Sequence, residues 1–128
     1  MHAGHNSGWS GDSQADYAQA TTDLEVETIP ELCHYLHQID FIRSLKRYYR
    51  YTRRCKILGF EDFFVVKYEA SKQGSLVEHF DAGNISFLIA LSSRGEYDGG
   101  GTFFQLTNDN VHLEQGSILC FDAKLIHR

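Results

Sequence analysis

The sequence predicts a mainly β fold with one helix ahead of the strands, of the β-sandwich or jelly-roll kind. Three observations predict it. Short β-branched and aromatic runs recur after Gly59. Clusters of Gly, Asn, Asp and Gln separate these runs at short intervals. A single apolar stripe at helical spacing precedes them.

Residues 1–27 are rich in Gly, Ser, Asp, Gln and Thr and carry acids without basic partners, so they read as a disordered tail. Thr28-Ile29-Pro30-Glu31 reads as a helix start. Thr28 and Glu31 have the spacing of a capping box, and Pro30 suits a first turn that needs no amide donor. Leu32, Leu36, Ile39, Ile42, Leu45 and Tyr49 follow on one face, which predicts a helix over 28–53. His34 and His37 are expected on its surface. Strands are predicted over 63–68, 76–81, 85–91, 102–106, 111–113 and 117–121. The turns between them include Ala82-Gly83-Asn84, Asp98-Gly99-Gly100-Gly101 and Asn108-Asp109-Asn110.

A polypeptide of 128 residues has room for one sizeable core. Hydrophobic residues at 42% and aromatics at 13% exclude a wholly disordered protein. No apolar run reaches membrane-spanning length, so no membrane partner is expected. Met1 to Gly11 lack the pattern of a secretory signal, which makes the cytoplasm the default compartment and leaves the secretory pathway open. Cys33, Cys55 and Cys120 are odd in number and lie far apart. Neither a disulfide framework nor a thiolate zinc site is expected from them.

The net charge of −5 is unevenly spread. Arg43, Lys46, Arg47, Arg50, Arg53, Arg54 and Lys56 form a basic run without an acid, and all other residues together carry −12. Arg43, Arg47, Arg50 and Arg54 share a helical face, the pattern of a solvated surface. The acidic remainder argues against nucleic acid as a partner. An acidic peptide or protein would fit the same face.

The chemistry centres on His79-Phe80-Asp81. Side chains alternate along a strand, so His79 and Asp81 share a face and Phe80 points the other way, into apolar packing. His127 is a further imidazole that follows several more strands. Two histidines and one carboxylate are the donor set of non-haem Fe(II) oxygenases, with positions left open for other ligands. His112 is a second candidate for the distal place, but its neighbours Asn108-Asp109-Asn110 point to a surface role.

A longer pattern surrounds these residues: Phe64-Val65-Val66-Lys67-Tyr68, then Leu76-Val77-Glu78-His79-Phe80-Asp81, Ser86-Phe87-Leu88-Ile89-Ala90-Leu91, Glu96-Tyr97-Asp98-Gly99-Gly100-Gly101-Thr102-Phe103-Phe104, Gly116-Ser117 and Lys124-Leu125-Ile126-His127. In order and spacing it resembles the prolyl and lysyl hydroxylase group of 2-oxoglutarate- and Fe(II)-dependent dioxygenases, with the phrases around Tyr68 and Gly99–Gly101 leaning to the lysyl side. The resemblance implies a double-stranded β-helix (a jelly roll) over 60–128. It implies His79, Asp81 and His127 as iron ligands and Tyr68 as a contact to 2-oxoglutarate. It implies hydroxylation of a prolyl or lysyl C–H in a protein or peptide, with ascorbate supporting turnover.

One feature of that group has no counterpart here. A basic residue a short way beyond the distal histidine pairs with the far carboxylate of 2-oxoglutarate, and this sequence ends at Arg128. Lys124 and Arg128 do not stand at the matching position. The protein is therefore expected to be a fragment whose last strands are missing, one that binds iron weakly and turns over poorly or not at all. Two other functions are compatible with the same sequence. One is a catalytically inactive β-helix domain that binds a protein through the 43–56 face. The other is a hydrolase using the same triad on zinc.

Overall fold

The computed structural model describes residues 23–38, Arg43, Phe60 and residues 62–128. Within them the fold is mostly β-strand in small sheets, with one helix. The described residues fall into two compact units, one built from 23–38 and 62–76, the other containing 77–128.

In the first unit, β1 (Asp23–Glu25) pairs antiparallel with β2 (Phe64–Val66), Leu24 facing Val65 in register. The Val26 amide extends the pairing by donating to the Phe63 carbonyl at 3.0 Å. Asp23 and Val26 are buried there. The stretch expected to be tail thus ends in an ordered strand. Its acids alone argued for solvation, but an edge strand is held by backbone hydrogen bonds that composition does not report.

A 3-10 turn over Val26–Thr28 leads to α1 (Pro30–Gln38). Pro30 occupies the first helical position, as its missing donor allows. Thr28 does not make the expected capping box. Its hydroxyl donates backward to the Glu25 carbonyl at 2.6 Å, which closes the 3-10 turn instead. The expected continuation of the helix to 53, the rest of the basic run and residues 1–22 lie outside the described residues.

The second unit carries the other strands. β3 (Ile85–Ile89) pairs antiparallel with β6 (Ile118–Asp122), and β4 (Thr102–Phe104) with β5 (Asp109–Val111). No closed barrel is formed among the described residues. The strand expected over 76–81 is reduced to a single bridge at His79. The cause is a turn over 122–125 in the facing segment. There the Leu125 amide donates to the Asp122 carbonyl at 3.0 Å, and the Lys124 amide to the Asp122 carboxylate at 2.9 Å. The Asp81 amide pairs with Ala123 on one side of that turn, and His79 pairs with His127 on the other.

The segment through His127 also pairs with β4. Phe103 and Arg128 exchange both backbone hydrogen bonds, at 3.0 and 3.1 Å, and the Gln105 amide donates to the Ile126 carbonyl at 3.1 Å. The loop before β4 depends on glycine. Gly101 has φ +97°, and a Cβ there would stand 2.6 Å from Asn110 Oδ1 and 2.9 Å from His112 Cε1.

A small aromatic core lies behind the distal histidine. Phe104, Phe121, Ala123 and His127 are buried. The Phe121 ring stands edge-on to Phe104 at 5.0 Å and to the His127 imidazole at 4.8 Å. Truncating Phe121 to alanine removes both contacts at once. Phe121→Ala is expected to lower stability by about 3–5 kcal/mol, read as a shift of the denaturant midpoint.

Candidate metal centre

The two imidazoles meet because their backbones do. His79 and His127 form a reciprocally bonded antiparallel pair, each amide donating to the other's carbonyl at 2.9 Å. Directly opposed residues in such a pair project to the same face of the sheet. The rings stand 4.4 Å apart between centroids. Asp81, two residues beyond His79, reaches the same place, as the H-x-D spacing predicts.

Both imidazoles are held in one tautomer. His79 Nδ1 lies 2.7 Å from the Val77 carbonyl oxygen, and His127 Nδ1 2.9 Å from that of Leu125. A carbonyl can only accept, so each Nδ1 carries a proton and each neutral ring presents a lone pair at Nε2. Those Nε2 atoms converge on one carboxylate. His79 Nε2 lies 3.5 Å from Asp81 Oδ1, and His127 Nε2 3.6 Å from Asp81 Oδ2. Histidine ligands in metal sites are oriented in the same way, by an acceptor on the remote ring nitrogen.

The carboxylate is itself held in place. The Ser86 hydroxyl donates to Asp81 Oδ2 in a short hydrogen bond. The Lys124 ammonium donates to the Asp81 backbone carbonyl at 3.1 Å and lies over the Phe80 ring, 5.2 Å from its centroid. Phe80 is exposed, not packed among apolar residues as expected from strand alternation. Of these supports, Ser86 was not anticipated from the sequence. The available signal was a hydroxyl alone within the apolar strand Ile85-Ser86-Phe87-Leu88-Ile89, since a partly buried hydroxyl needs a partner.

Proton affinities reflect the clustering. The Asp81 carboxylate raises the His79 pKa above 6.5; burial opposes this, and the Val77 carbonyl adds to it. Burial works to raise the Asp81 carboxyl. The polar contact with His79, the hydrogen bond from Ser86 and the electrostatic attraction of both imidazoles outweigh it and hold Asp81 below the ordinary carboxylate value.

His79, Asp81 and His127 are a group able to hold a metal ion, each offering one donor atom within 4.8 Å of the others. The fit is chemical as well as geometric. The nitrogen–oxygen separations exceed a hydrogen bond. They fall inside the roughly 4.2 Å that two ligands at about 2.1 Å from one ion can span. Two imidazoles and a carboxylate suit a ferrous ion or zinc and offer no thiolate. Of the other residues singled out from sequence, Tyr68 follows β2 in the first unit and is half exposed. His112 is exposed and lies beside Asn110, Nε2 to Nδ2 at 3.4 Å, outside the cluster.

The protein is distantly similar to procollagen-lysine dioxygenases. It is 30% identical over 139 residues to procollagen-lysine,2-oxoglutarate 5-dioxygenase 1 of Bos taurus, a match that takes in 96% of this sequence. The Mus musculus protein of that name is 31% identical over the same length, and the Gallus gallus protein 37% over 70 residues. The sequence spans only 18% of the length of the first two relatives. No family model matches it, and no solved structure does. The similarity supports a hydroxylase-like relationship, and the triad gives that relationship a candidate metal-binding site. No helix among the described residues is long and apolar enough to cross a membrane.

Two outcomes are expected for the metal-free and metal-loaded protein. His79→Ala, Asp81→Ala and His127→Ala should each weaken Co(II) binding by more than the roughly 10- to 100-fold that loss of an outer partner costs, measured by visible absorption titration. The pH dependence has two limbs. The Asp81 contribution to stability is present above the ordinary carboxylate pKa and is lost as pH falls through its lowered folded value. The His79 contribution is present below 6.5 and is lost as pH rises through its raised folded value. Because Nε2 must shed its proton to ligate, Co(II) affinity is expected to rise over the range in which metal-free stability from His79 declines. Unfolding and metal titrations on one pH series would check both limbs.

Proposed function

We propose that this protein supplies the iron site of an Fe(II)- and 2-oxoglutarate-dependent dioxygenase that hydroxylates an aliphatic C–H of a protein or peptide residue, lysyl rather than prolyl. The convergence of both Nε2 lone pairs on the Asp81 carboxylate carries this reading. The lysyl choice is supported by the relatives, whose name gives procollagen lysine as what they act on and 2-oxoglutarate as cosubstrate. The zinc hydrolase alternative uses the same donors but finds no support in those relatives. Completion of the two small sheets into a jelly roll belongs to the same proposal.

In this reading His79, Asp81 and His127 hold the ion. Bound there, iron supplies the coupling of 2-oxoglutarate decarboxylation to substrate hydroxylation by dioxygen, with ascorbate keeping it ferrous. The protein's own work is positional. Val77 and Leu125 carbonyls keep the Nδ1 protons in place, so the imidazoles bind as neutral donors. Phe104 and Phe121 exclude water from one side of His127. Three protein donors leave further coordination positions for 2-oxoglutarate and dioxygen. Tyr68 is assigned a contact to 2-oxoglutarate on the strength of the resemblance alone.

A form of the protein extended beyond Arg128, supplied with Fe(II), 2-oxoglutarate, ascorbate and a lysine-bearing collagen-like peptide, is expected to form succinate and add one oxygen atom to the peptide. Asp81→Ala should do neither. Succinate output equal to that of Asp81→Ala, from protein that demonstrably binds the ion, would exclude the oxygenase reading.

A further inference from the structure

We infer that Ser86 is a positioning residue of this metal centre: its hydroxyl donates to Asp81 Oδ2 and so fixes the rotation of the carboxylate between the two imidazoles, which favours binding of an ion through a single carboxylate oxygen. The inference rests on the proposed iron site and specifies how one of its ligands is used.

Three observations carry it. The Ser86 hydroxyl has one proton, and it is spent on Asp81 Oδ2. The carboxylate so held turns one oxygen toward each imidazole, Oδ1 at 3.5 Å from His79 Nε2 and Oδ2 at 3.6 Å from His127 Nε2. Ser86 also sits where it cannot easily swing away. It lies inside β3 and is paired in register with Phe121 of β6, the residue whose ring supports His127. The strand therefore ties the carboxylate's rotation to the same packing that sets the distal imidazole.

The chemical consequence is a count of positions. An aspartate that binds through one oxygen uses one coordination position, whereas a bidentate aspartate uses two. A cosubstrate that chelates through two oxygens and a dioxygen molecule need three open positions, the number a facial triad of single-atom donors leaves. Without the Ser86 hydroxyl, the carboxylate loses one restraint on its rotation, and bidentate binding competes with the cosubstrate. Serine is suited to the task because its side chain is short and lies in a strand that fixes its backbone. Threonine keeps the hydroxyl and favours strand geometry; alanine removes the hydroxyl and little volume.

The test is a Co(II) titration of the protein and two variants, followed by visible absorption, which reads both affinity and coordination number. Ser86→Ala is expected to weaken binding about 10- to 100-fold, as loss of an outer-shell partner does, and to shift the spectrum toward higher coordination. Ser86→Thr should return both to those of the parent. Added 2-oxoglutarate should perturb the spectra of the parent and Ser86→Thr more than that of Ser86→Ala. Far-UV circular dichroism checks that the variants keep the fold. Parental affinity and spectrum in Ser86→Ala would overturn the inference, as would equal weakening in Ser86→Ala and Ser86→Thr with their secondary structure intact. Failure of the parent itself to bind Co(II) would overturn the underlying metal site, a result distinct from either.

Discussion

The pair of backbone hydrogen bonds between His79 and His127 is the constraint on which the site depends. It brings together two imidazoles that lie far apart in the sequence, and it sets them on one face. Everything else refines that meeting. The Val77 and Leu125 carbonyls choose the tautomer, Asp81 adds the negative charge, and Ser86 holds the carboxylate. A site built this way inherits its precision from the sheet, because the hydrogen-bonded register leaves the ligand backbones little freedom.

Burial is divided unequally among the three clustered residues, and the division has a chemical sense. His127 is buried against Phe104 and Phe121, whereas His79 and Asp81 are only partly covered. The distal imidazole is thus fixed by packing, and the H-x-D pair lies on the open side. The same asymmetry explains the proton affinities: a partly solvated carboxylate can remain charged, and its charge stabilises the proton on the neighbouring imidazole.

The fold was legible to different depths in different places. Alternating apolar runs bounded by turn residues located β3, β4 and β6 closely, since their hydrophobic period is a local property. The strand expected over 76–81 was shortened by a turn at 122–125, a feature of the partner segment that no local window contains. The opening strand at Asp23–Glu25 was missed for the same reason. It pairs with residues that lie well downstream, and backbone pairing leaves little mark on side-chain composition. At Thr28 the hydroxyl had both carbonyl and amide groups within reach, and the spacing alone favoured the wrong one.

From the sequence alone came the donor set and its order: an H-x-D pair, a later histidine, and a glycine-rich turn between them. Side-chain alternation in an extended segment is enough to put His79 and Asp81 on one face, so that much needed no structure. Only the tertiary structure shows His127, and not His112, beside His79 and Asp81, because that placement depends on which segments exchange hydrogen bonds across the sheet. It also decided how Asp81 is held, since Ser86 becomes its partner only when the backbone turns back after Asn84 and β3 forms. Local pattern names the groups able to do the chemistry; long-range pairing places their atoms within reach of one another.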